Sequence, residues 1–220
     1  MSTLMNRELE ALKKLLLELS AVVEEKVAQS VQALLDGNRE LAQQIVESDN
    51  DVDDLEVALE EECLKVLALH QPVATDLRLI ISVMKINNDL ERMADLAVNI
   101  AERALDLCNL NVEIKPPYDL SMMASLVQQM LKMSLDSLIE RHVSLALDTI
   151  KLDDEVDELH KENFGRIKDA MRKSPDQMDE QTLYLSLSRY LERIADLATN
   201  IAEDVVYLIS GEIIRHGNPS

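Results

Sequence analysis

The sequence predicts an all-α protein of two tandem, pseudo-symmetric three-helix bundles, and three observations predict it. The 220 residues include only 4 glycines and 5 prolines, about 4% together against about 12% in an average chain, too few for the many turns of a sheet protein. Apolar residues make up 47%, enough for a core, and they recur at threes and fours, the period of a helix face. A thirteen-residue segment occurs twice. LERMADLAVNIAE at 90–102 and LERIADLATNIAE at 191–203 agree at eleven positions, and self-similarity at a fixed spacing marks a duplicated structural unit.

The breakers place the elements in order. A first helix, about 4–36, carries Leu12, Leu15, Leu16, Leu19, Val22, Val23 and Val27 on one face. Asp36-Gly37-Asn38 ends it, because Gly and Asn accept the left-handed conformation that closes a helix. A second, 39–70, stops before Gln71-Pro72, where proline lacks a donor and pushes its predecessor out of the helical region. Pro72 suits the first turn of a third, 73–109, whose apolar face includes Leu77, Ile80, Ile81, Met84 and Ile86. Asn109 to Pro117, with two consecutive prolines near the midpoint, is the linker between a first unit at 1–110 and a second at 118–216. Helices at 119–141 and 144–173 follow; no breaker separates them, and their junction rests on analogy with the first unit. Ser174-Pro175-Asp176-Gln177 combines a cap, a proline at the first helical position and Gln at the capping-box position, and it starts the last helix, 176–214.

Charge narrows the function. With 42 acidic and 22 basic residues the net charge is −20, and the aromatics amount to 4 Tyr and 1 Phe. Base stacking and phosphate clamping are excluded as the main activity, so no nucleic-acid partner is expected. The early charges of MSTLMNRELEALKK do not suit a secretory leader. The longest uncharged stretch, Leu120 to Leu131, is too short to span a bilayer, so a cytoplasmic protein without direct membrane insertion is expected. Cys63 and Cys108 form no CxxC pair and read as buried free thiols of a reducing compartment.

A weaker match upstream, at an offset of 104, pairs Asp49, Val52, Asp53 and Leu55 with Asp153, Val156, Asp157 and Leu159. Acids then recur at one spacing in both units: Asp49 and Asp53, Glu91 and Asp95, Asp153 and Asp157, Glu192 and Asp196 are each four apart and share a helical face. Two carboxylates about 6 Å apart repel by roughly 0.7 kcal/mol in water and about 3 kcal/mol at an effective dielectric of 20. A cation held by oxygen ligands would offset that repulsion. About eight such acid pairs would arise by chance at this composition, and a single one is usually a solvated face; recurrence at equivalent places on two helices of each unit sets these four apart. Arg92 and Arg193 adjoin the glutamates but diverge from them by about 100° around the helix. Asn99, Asn200, Glu102 and Glu203 continue the stripe as outer ligands or as bonds between helices. Ala94, Ala97 and Ala101, repeated at 195, 198 and 202, read as close-packing positions.

The paired LERMADLAVNIAE and LERIADLATNIAE segments, QPVATDLR at 71–78, ESDNDVDDLE at 47–56 and LDDEVDEL at 152–159 resemble the PhoU family of phosphate-signalling regulators over nearly the whole chain. The resemblance implies two three-helix bundles whose acidic motif pairs hold multinuclear iron or zinc clusters. It places Asp49, Asp53, Glu91 and Asp95 at one cluster and Asp153, Asp157, Glu192 and Asp196 at the other. It further implies a homodimeric negative regulator linking the phosphate-specific ABC transporter to a membrane sensor histidine kinase, an adaptor with no reaction of its own. The second unit has SPDQMDE where the first has QPVATDLR, so any role of Asp76 and Arg78 belongs to one half. Two other readings stand beside it. A ferritin-like di-metal carboxylate enzyme wants a repeated Glu-x-x-His pair, whereas Asp157-x-x-His160 has Glu56 as its counterpart in the first half, and His160 reads as an exposed helix residue. A metal-free scaffold would leave the acidic stripes solvated.

Overall fold

The computed structural model describes residues 3–48, 50–110 and 115–214. Its helices are α1 Thr3–Asp36, α2 Arg39–Glu47, α3 Asn50–His70, α4 Thr75–Asn109, α5 Leu120–Glu140, α6 Val143–Lys173 and α7 Met178–Ser210, with a short 3₁₀ turn at Pro175–Gln177. Among the described residues there is no strand, and no helix is long and apolar enough to cross a membrane. The predicted helices are present, with one division. The second is broken into α2 and α3 beside Ser48, whose backbone N–H turns back to the Ile45 carbonyl.

In the first unit, α1, α2, α3 and α4 pack together; in the second, α5, α6 and α7 do. The units join where α4 lies along α7, with a smaller contact between α1 and α5. Leu12, Leu16, Leu19, Val23 and Val27 of α1 are buried, with Leu15 and Val22 at the margin. On α4 the buried stripe is Ile80, Val83, Ile86, Leu90, Met93 and Ala97, while Leu77 and Ile81 are exposed; the predicted face was a fraction of a turn off. The alanines at 94, 97, 101, 195, 198 and 202 are all buried, as their small size requires where α4 and α7 are crowded by helices on several sides. An ion pair crosses the same junction, from Lys85 Nζ to Asp204 Oδ1 at 3.2 Å.

The element ends show where single residues decide. Asn38 caps α2 by accepting from the Leu41 N–H at 3.1 Å, and Asp119 caps α5 by accepting from the Met122 N–H at 2.9 Å. α4 begins at Thr75 rather than near Pro72, because Gln71 and Ala74 both take positive φ and turn the chain twice before the helix. Ser174 makes no side-chain cap, and Pro175–Gln177 forms the 3₁₀ turn ahead of α7. α7 stops at Ser210, not 214, because Gly211 takes φ +77 and bonds back to the Tyr207 carbonyl. The linker is tied to the second unit by Tyr118, whose hydroxyl donates to the Tyr184 carbonyl at 2.9 Å. Cys63 is buried, which pushes its thiol up to about 12, and Cys108 is only half-buried.

The junction without a breaker is closed by Arg141, at φ +54, in the position that Gly37 holds in the first unit at φ +61. Both ends bond alike: Asn38 N to the Ala33 carbonyl and His142 N to the Ser137 carbonyl, each at 2.9 Å. A side chain in the left-handed region costs roughly 1–2 kcal/mol, partly offset by glycine's greater freedom when unfolded. Arg141→Gly is therefore expected to stabilise the protein by about 0.5–1 kcal/mol in urea unfolding, and a loss of stability would show that the arginine side chain holds this junction.

Candidate metal centre

Asp53 stands on α3 and Glu91 and Asp95 on α4; Asp153 and Asp157 stand on α6 and Glu192 and Asp196 on α7. Each face is fixed by the buried residues between them in sequence: Met93 and Ala94 lie between Glu91 and Asp95, Ile194 and Ala195 between Glu192 and Asp196, and all four are buried. The helix is locked inward by these side chains and presents its carboxylates outward.

In the second unit the acids converge. Carboxylate oxygens of Asp157, Glu192 and Asp196 all lie within 4.8 Å of one another, a spacing at which each pair repels by about 3–4 kcal/mol at an effective dielectric of 20 and about 1 kcal/mol in water. Burial, then Glu192 and Asp157, push Asp196 up to about 6, against the pull of Arg193 and His160. Burial, then Asp196 and Asp157, push Asp153 up to about 6. Asp153 Oδ1 is sealed from solvent, and a side-chain hydrogen bond from Thr199 opposes the rise. Such a group favours either a proton or a cation.

The first unit is more open. Asp53 and Asp95 are exposed and Glu91 half-buried, and the trio of close oxygens has no counterpart there among the described residues. Asp49 lies outside the described residues. Electrostatically the group still forms a unit: burial, then Asp95 and Glu56, raise Glu91, with Arg92 opposing and Asp53 adding to the rise. Burial, then Glu60 and Asp53, raise Glu56.

Two residues belong to these groups that motif spacing alone did not assign. Glu56 faces Glu91 in the first. His160 in the second is half-buried rather than exposed, with Nδ1 at 3.0 Å from Ser188 Oγ. The signal was their shared position three residues after Asp53 and Asp157. Of the outer stripe, Asn200 and Glu203 line a groove of about 850 Å3 between α4 and α7, facing Lys85 and Arg92. Asp153 and Asp196 line the same groove. Glu102 pairs with Arg103 at 3.2 Å.

The arrangement defines a class: a duplicated helical protein whose two units each display an acidic group on the face of their longest helix. The PhoU domain family matches residues 16–104 and again 120–205. A Pseudomonas aeruginosa relative, named a phosphate-specific transport system accessory protein PhoU homolog, is 37% identical over 96% of this chain and 87% of its own length. A relative of the same name from Aquifex aeolicus is 38% identical over 96% of this chain and 95% of its own. The crystal structure of PhoU from Pseudomonas aeruginosa superposes with a TM-score of 0.91 at 37% identity, covering 94% of this chain and 99% of that one. The regulatory protein PhoU of the phosphate transport system from Streptococcus pneumoniae gives 0.83 at 31% identity, over 95% and 98%. This chain belongs to the PhoU family.

Proposed function

We propose that the protein is a metal-binding cytoplasmic regulator of phosphate homeostasis, restraining phosphate uptake and the phosphate-starvation response. It acts as a homodimeric adaptor between a phosphate-specific ABC transporter and a membrane sensor histidine kinase. The observation that carries this reading is the match, along 96% of the chain, to relatives named accessory proteins of the phosphate-specific transport system. Asp153, Asp157, Glu192 and Asp196 hold one multinuclear iron or zinc cluster, and Asp49, Asp53, Glu91 and Asp95 hold the other. The close oxygens of the second group suit that role. When bound, the ions supply positive field at a surface whose net charge of −20 otherwise repels phosphate and anionic lipid.

Deletion of the gene in the source organism is expected to derepress phosphate-regulon expression under phosphate excess. The wild-type chain should restore repression, and a chain carrying Asp157→Asn with Asp196→Asn should restore it poorly. Expression that stays repressed after deletion would overturn the regulatory reading.

A further inference from the structure

The duplication also builds a pair of apolar grooves where α1 meets α5. One, of about 670 Å3, is lined by Leu34, Leu35, Gly37, Leu107 and Tyr184, and the linker enters it. There Tyr118 is 5% exposed, sets its ring edge-on to that of Tyr184 with centroids 6.5 Å apart, and donates its hydroxyl to the Tyr184 carbonyl. The other, of about 230 Å3, is lined by the repeat counterparts of those five residues: Leu138, Ile139, Arg141, Leu208 and Val83. The first three match at an offset of 104; Leu208 matches Leu107, and Tyr184 matches Val83, at an offset of 101. No linker residue enters this second groove, for every residue lining it belongs to α1, α4, α5 or α7 or is Arg141 itself. The chain's course explains the difference. α5 begins at Leu120, directly behind the linker, whereas the counterpart of Leu120 is Leu16, well inside α1, so the first unit supplies helix where the second supplies a plug. Leu17 and Ile139, both of the second groove, are exposed.

We infer that the second groove docks an extended segment of a partner protein that inserts a tyrosine flanked by an acid, as Tyr118 and Asp119 stand in the first. Space for the ring is present, since an apolar cavity of about 150 Å3 already takes benzene, and valine replaces the bulk of Tyr184 on the far wall. The acid follows from charge. In a chain of net charge −20, the charged residues lining this groove are Lys13 and Arg141; Glu10 and Asp76 line the adjoining cavity toward the start of α4. Lys13 is tied to Glu10 at 2.6 Å, whereas the Arg141 side chain makes no hydrogen bond or ion pair among the described residues. Arg141 also holds a left-handed conformation, φ +54, that its counterpart Gly37 adopts without strain. A strained residue whose side chain does nothing for the fold points to a contact outside it. This inference gives the proposed adaptor a contact for one partner and draws nothing from the acidic groups.

The probe is a blocked peptide of residues 116–120, PPYDL, titrated into the isotope-labelled full chain and followed by NMR. Saturable binding is expected with a Kd on the order of 0.1–1 mM and with shifts centred on Leu17, Val83 and Ile139. The same peptide with Tyr118→Ala should not saturate. In the chain, Ile139→Glu should weaken binding by about 10-fold or more, because it sets an unpaired charge against the ring, and Arg141→Gly should weaken it by about 5-fold. Both positions are exposed, and circular dichroism establishes that each variant is folded. A wild-type chain that shows no saturation up to about 5 mM peptide, or binding that Ile139→Glu leaves unchanged, would overturn the inference. Sedimentation of the same samples covers the other occupant: self-association of the wild type that Ile139→Glu abolishes would put a second copy in the groove and overturn it equally. These measurements need the purified chain alone, so their failure is distinct from that of the deletion experiment on the regulatory role.

Discussion

Metal-free protein is expected to become more stable as the pH falls from 7 to 5. Asp153 and Asp196 are each raised to about 6 in the folded chain, above the ordinary value near 3.9 of an unfolded aspartate. Between those values the folded state binds more protons than the unfolded one, so the stability of folding declines as pH rises through the window and levels off above it. The raised Glu56 and Glu91 add in the same direction. Because these groups are about half exposed, solvent screening cuts the gain to about 1–2 kcal/mol in total. Asp196→Asn should flatten the profile and make the metal-free protein more stable at pH 7. Bound metal should abolish the trend, since a cation replaces the protons. Thermal unfolding of metal-free and metal-loaded protein at pH 5, 6 and 7 measures all of this, and stability that rises with pH in the metal-free protein would contradict it.

Ile194→Ala and Met93→Ala are expected to cost about 3 kcal/mol each, the usual loss for a buried large side chain that leaves a cavity. Both residues are fully buried, at matching positions of α7 and α4, and each anchors the turn that presents its unit's glutamate and aspartate. For a chain of this length 1 kcal/mol shifts the melting temperature by about 2–4 °C, so each variant should melt about 6–12 °C lower. Because α4 and α7 pack against each other, any shortfall from additivity in the double variant measures the coupling between the two positions. A loss below about 1 kcal/mol for Ile194→Ala would mean that α7 is not packed as described.

The fold was legible because the duplication was legible. Residues of α4 and α7 are constrained by neighbours on several sides, which accounts for the retained apolar positions of LERMADLAVNIAE and LERIADLATNIAE but not for the exposed Arg and Asp they share. The repeat even located the α5–α6 junction, where Arg141 does by strain what Gly37 does freely. The division of the second helix beside Ser48 was not legible, because no proline or glycine marks it and the matching stretch of α6 runs unbroken. The exposure of Leu77 and Ile81 escaped because a run of apolar residues does not by itself fix which edge of the stripe faces inward. Gly211, by contrast, was a readable stop signal that the apolar pair Ile213-Ile214 beyond it obscured.

At the candidate site, i,i+4 spacing identified the acids on each face but not how facing helices combine them. Asp157 of α6 meets Glu192 and Asp196 of α7 closely, while Asp53, Glu91 and Asp95 stay more open, a difference the nearly identical motifs do not encode. Glu56 and His160 were hidden because their chemistry differs between the halves although their position does not.

The most direct test of the account is the metal content of the chain purified without chelator, measured by elemental analysis beside the variants Asp157→Asn/Glu192→Gln/Asp196→Asn and Glu91→Ala/Asp95→Ala. The account predicts stoichiometric iron or zinc in wild type and a partial loss in each variant, with helical content intact. Metal content in both variants equal to wild type, or a wild-type chain that retains none, would contradict it.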